Sequence, residues 1–139
     1  MTRLNEGWRR LRTRIGRRGS ALLFFALVDL VFAASLAAAP PSTSQSGGYA
    51  FLSTILPLHA WAIPWAAVGG MCLIHAAMQE DRLAFIAASG LKVGWGVLYL
   101  AGWLVGEIPR GYVSAVVWLA FAGFVAVISG WPEPPPRRP

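Results

Sequence analysis

Charge is what this 139-residue chain has least of: twelve basic and six acidic residues make up only 13% of it. Soluble domains carry about 25% charged residues, so a water-facing surface over most of the length is excluded. Cysteine occurs once, as Cys72, which rules out an intrachain disulfide and suggests no metal cluster. In an apolar run such a thiol reads as a small buried hydrophobe. Histidine occurs twice, as His59 and His75. The two are expected near opposite membrane faces, where they make no metal site. Nucleophile motifs, paired carboxylates and phosphate-cradling loops are all missing, so neither enzyme chemistry nor a cofactor is expected.

What the chain has instead is long apolar runs. Hydrophobic residues make up 56% of it, concentrated in four segments at about 21–39, 58–78, 83–105 and 112–130. Each approaches or exceeds the ~20 residues that carry a helix across ~30 Å of hydrocarbon. Backbone groups in lipid must be satisfied within the segment, which favours helices. The two-residue alternation of a barrel strand is absent. Polar connections separate the runs: "PPSTSQSGG" at 40–48 is a turn-forming loop, while "QEDR" at 79–82 and "GEIPRG" at 106–111 are tight turns. Residues 132–139 form a Pro-rich tail that cannot be helical. The expected fold is an all-α membrane protein, a bundle of four transmembrane helices (residues 20–131) after a basic segment (1–19).

The few charges are unevenly placed. Seven of the twelve basic residues are Arg3, Arg9, Arg10, Arg12, Arg14, Arg17 and Arg18. With the N-terminus in the cytoplasm, these join Arg82, Arg137 and Arg138 inside, leaving only Arg110 outside and Lys92 within a span. The positive-inside rule therefore predicts N-in, C-in insertion in a cell inner membrane. Tyr49, Trp61, Trp65, Trp103 and Tyr112 are expected at the outer interface, and Trp131 at the inner one. The first span reads as a retained anchor. Its run exceeds a signal-peptide core, Asp29 interrupts it, and Pro40 would follow the cut.

Within the first segment, Leu4, Trp8, Leu11 and Ile15 fall on one helical face, with Arg9, Arg10, Arg12, Arg14 and Arg17 on the flanks and opposite side. That is the pattern of a helix lying on an anionic inner leaflet; the plainer reading is a topology signal. Nucleic acid is not expected, for no base-reading module accompanies the arginines.

Asp29 and Lys92 each lie nine positions past an inner boundary, at Ser20 and Leu83. At ~1.5 Å per residue both sit about 13–14 Å into the membrane. A charge at such depth needs a protein partner. Spans one and three are thus expected to pack together with Asp29 and Lys92 paired, either as a register-setting contact or as part of an ion path. His75 near the inner face and His59 near the outer end are secondary polar candidates. His59 lies between Pro57 and Pro64, where an irregular or kinked helix is expected. Gly90–Gly94 and Gly102–Gly106 have GxxxG spacing, which predicts close helix approach around Lys92. "WAAVGG" at 65–70 and "WLAFAG" at 118–123 suggest a 2+2 hairpin repeat.

The block "GWLVGEIPRGYVSAVVWLAFAGFVAVISGWPEP" at 102–134, with "ALLFFALVDL" and "LKVGWGVLYL", resembles small four-helix membrane proteins of actinobacterial phages and prophages. The likeness covers residues 17–134. It implies origin and topology, a small polytopic protein of the host inner membrane, and carries no activity with it. Small size, short-looped spans, small-residue faces and a basic cytoplasmic end suit action by homo-oligomerisation, holin-like in its effect on the bilayer. The alternatives are a non-enzymatic scaffold or accessory protein that binds a partner, and a small channel or transporter subunit using Asp29 and Lys92.

Overall fold

A computed structural model describes residues 16–78 and 80–132. The expected amphipathic helix and its Arg9, Arg10, Arg12 and Arg14 lie outside the described residues, as do residues 133–139 of the tail. Five α-helices follow in order: α1 (Arg17–Ala37), α2 (Gly47–Ile55), α3 (Leu58–His75), α4 (Arg82–Leu104) and α5 (Gly111–Ser129). There is no strand among the described residues. Four of the five (α1, α3, α4 and α5) are long and apolar enough to cross a membrane.

The helix ends follow local chemistry. Pro57 precedes α3 with its φ already near the helical value, and Gly106 turns the chain after α4 with φ +83. Asp81 occupies the N-cap of α4 but makes no cap bond; its carboxylate goes to Arg18 instead. Pro64 lies inside α3, which nevertheless runs unbroken from Leu58 to His75 although Pro64 has no N–H for the ladder.

The connection after the first span differs from expectation. It is not a plain polar loop, for Pro41–Gln45 forms a 3-10 turn and α2 follows at once. Leu52 of α2 is fully buried, and the Trp61 indole Nε1 donates to the Leu52 carbonyl at 3.1 Å. Gly48 lets α2 approach α4 closely, since a Cβ there would stand 2.6 Å from the Tyr99 ring.

Packing divides the long helices into two hairpins, α1 on α3 and α4 on α5, joined by a lighter contact of α3 with α4. Glycines set both hairpin interfaces. A Cβ on Gly69 would meet Leu30 at 2.8 Å, and one on Gly96 would meet Leu119 at 3.0 Å and the Ala115 carbonyl at 3.2 Å. Two apolar clusters fill the interior. One contains Leu22, Phe25, Cys72, Phe85 and Val125 toward the Arg18 end; the other contains Ala33, Leu52, Trp65 and Trp95 toward the opposite end. Large apolar side chains such as Leu27, Ile63, Ile74 and Val116 face outward. That is the reverse of a soluble protein, and it is what a lipid solvent permits.

Candidate functional site

The two mid-helix charges meet. Lys92 Nζ of α4 donates to Asp29 Oδ1 of α1 in an ion pair, and both side chains are 0% exposed. Helices α1 and α4 themselves barely touch. Spans one and three therefore do not pack together along their length, contrary to the expectation from depth alone. The long Lys92 side chain crosses the interior to reach Asp29, while α1 lies mainly on α3.

Aromatic rings enclose the ammonium. Nζ stands 5.2 Å from the Trp65 ring centroid and 5.4 Å from that of Phe121, within the ~6 Å range of cation–π attraction. Trp65 packs at 4.4 Å on Phe32, at 5.4 Å on Trp95 and at 5.3 Å on Trp118. Trp65, expected at the outer interface, is thus fully buried beside the charge. One turn along α3, the Gly69 site brings α3 against the Asp29 Cβ, where a Cβ on Gly69 would lie 3.2 Å away. Asp29 Oδ2 and the Trp65 and Trp95 indole nitrogens make no hydrogen bond among the described residues. An unpartnered buried polar atom costs about 1–3 kcal/mol, so this core carries a polar expense that plain apolar packing would avoid.

Composition and spacing had not singled out the aromatic shell. The signal was present: Phe32 is three residues after Asp29, and Trp95 is three after Lys92, so each ring shares a helical face with its charge.

The remaining candidates separate. His75 Nδ1 lies 2.6 Å from the Glu80 carbonyl oxygen, a bond that requires the Nδ1–H tautomer; it closes the turn between α3 and α4. His59 is exposed at the other end of α3. Arg17 is exposed on the first turn of α1. Gly90 and Gly94 have nothing within 4 Å of a built Cβ, so they do not bring a helix close to Lys92. They point away from the interior that Lys92 enters. Gly102 does serve packing, since a Cβ there would strike Ile108 at 2.4 Å, whereas Gly106 serves the turn.

A second ion pair links α1 to the residue that precedes α4. Arg18 Nη2 donates to Asp81 Oδ1 at 2.7 Å, and its guanidinium lies 5.3 Å over the Phe85 ring.

No family model, curated protein or solved structure matches the chain.

What the central arrangement can do is limited by its surroundings. A pathway for ions or protons needs polar lining that reaches water. Around Lys92 and Asp29 stand the Trp65 and Phe121 rings, Gly69 and the buried Cys72 thiol, and each charge is answered by the other.

Proposed function

We propose that the chain is a multi-pass protein of a bacterial inner membrane, inserted N-in and C-in as a four-helix bundle, that acts by associating in the plane of the bilayer. The observation that carries this reading is the closed Asp29–Lys92 pair. Its charges neutralise each other inside one chain, behind Trp65 and Phe121, and so contribute no solute path and no reacting group. Action is then left to the lipid-facing surface and the two ends. Orientation is supported by Arg17, Arg18 and Arg82 at one end of the helices against Arg110 at the other. Small size, short connections and a largely apolar outward surface suit a holin-like form of association.

Controlled expression in a bacterial host with a co-expressed endolysin tests the proposal. Holin-like action predicts a delayed, abrupt loss of membrane potential with release of the endolysin, accompanied by crosslinked homo-oligomers. Unchanged viability with only a monomer overturns association and points to a scaffold. Graded ion flux that Asp29→Asn abolishes also overturns it, by showing that the pair conducts.

A further inference from the structure

An open groove of about 1170 Å³ lies at the end of the helices that carries Arg18 and Arg82. On α4 its lining includes Arg82, Ile86, Ser89, Gly90 and Val93, which share one helical face, with Ala126 and Ser129 of α5 as a wall. Its volume exceeds the roughly 300–1,000 Å³ of pockets for drug-sized molecules. Its mouth is charged and its far part is apolar. From Arg82 to Val93 the face covers about 16 Å at ~1.5 Å per residue, close to the ~15 Å of hydrocarbon in one leaflet. The missing side chain at Gly90 keeps the groove open toward its far part, because nothing lies within 4 Å of a built Cβ there.

The mouth carries both signs. Arg18 and Asp81 bond to each other at its base. Glu80 and Arg82 flank them, both exposed, and neither side chain has an ion-pair partner among the described residues. A purely anionic head group would meet Glu80 as a like charge. A choline head would offer Glu80 no N–H donor. A head group with a phosphate and a primary ammonium matches both side chains at once.

We infer that the groove is a binding site for a phosphatidylethanolamine-type phospholipid, with its phosphate on Arg82, its ammonium on Glu80 and one acyl chain along Ile86, Gly90 and Val93. The site rests on the membrane reading given above but not on association between copies.

The test reconstitutes the full-length protein into vesicles of equal phosphatidylethanolamine, phosphatidylglycerol and phosphatidylcholine, extracts it in mild detergent and quantifies retained lipid by native mass spectrometry. Phosphatidylethanolamine should be retained about three- to five-fold over each of the others, the size that one exposed charge contact gives. Gly90→Leu should abolish the retention, while Gly94→Leu, outside the groove, should leave it unchanged. Glu80→Gln should erase the preference over phosphatidylglycerol, and circular dichroism should show unchanged helicity in each variant. Equal retention of all three lipids overturns the site, as does retention insensitive to Gly90→Leu. A protein that never enters the vesicles fails the membrane reading as well.

Discussion

Removing either member of the Asp29–Lys92 pair should cost far more than removing both. Each side chain is fully buried, and each is the other's ion-pair partner. Breaking a buried pair from one side typically costs about 3–5 kcal/mol, because an uncompensated charge remains. Replacing both members with apolar residues of similar volume is often neutral, or stabilising by about 1–4 kcal/mol. The rings refine the expectation. Asp29→Leu leaves Lys92 over Trp65 and Phe121, where a desolvated cation–π contact is worth up to about 2 kcal/mol. Lys92→Leu leaves Asp29 with no hydrogen-bond donor at all among the described residues, since Oδ2 already has none. Lys92→Leu should therefore be the more damaging single change.

Unfolding in mixed micelles, followed by near-UV circular dichroism, reads this directly, because Trp65 and Trp95 flank the pair. The expected losses are about 3 kcal/mol for Asp29→Leu and about 4–5 kcal/mol for Lys92→Leu, with the double variant within about 1–2 kcal/mol of the parent. A double variant that loses the sum of the singles would refute the pairing. So would either single change costing less than about 1 kcal/mol.

The same substitution at two glycines should have opposite signs. Gly69→Ala puts a Cβ 2.8 Å from Leu30 at the α1–α3 interface and should cost about 1–3 kcal/mol in that micelle assay. Gly94→Ala meets nothing within 4 Å and should stabilise by up to about 0.5–1 kcal/mol, read as a higher melting temperature. Arg18→Gln removes a 2.7 Å pair whose side chains are 22% and 13% exposed. It should cost about 1 kcal/mol, well below either change at the central pair, with added salt reducing the difference.

The four long helices and their approximate limits were legible because lipid imposes one crude requirement, an unbroken apolar run of sufficient length. The level of Asp29 with Lys92 was legible for a similarly simple reason, the fixed rise of a helix. Neighbour relations were not. A lysine side chain spans several ångströms, so equal depth allows a pair between helices that are not packed on each other, and α1 chose α3. The glycines at 90 and 94 misled for a related reason. Spacing identifies small residues on one face, but only the rotation of α4 decides which face turns inward, and Lys92 and Gly96 turn that way. The short helix α2 was hidden by its entry, "SQSGG", which reads as loop. Only Tyr49 and Leu52, three apart, hinted at a buried helical face.

The two ion pairs explain why this chain retains charges where apolar residues would pack at less cost. Hydrophobic contact distinguishes poorly among helix arrangements in lipid, since the acyl chains are as apolar as leucine. Small residues fix each hairpin internally, at Gly69 and at Gly96, and across the hairpins they act only where α2 meets α4, at Gly48 and Gly102. Both ion pairs hold α1 against the α4 side. They join residues 18 to 81 and 29 to 92, the same separation of 63 along the chain. The donors and acceptors are eleven residues apart on each side, three helical turns. One helix can slide or rotate against the other only by breaking both pairs together. The polarity is crossed as well: α1 supplies the cation at its start and the anion at its middle, and the α4 side supplies the reverse. A register shift or an inverted pairing would therefore place like charges or unpartnered charges in the core, at several kcal/mol each. The polar expense at Asp29, Trp65 and Trp95 is in this view the cost of holding α1 in a single register against the α4 side.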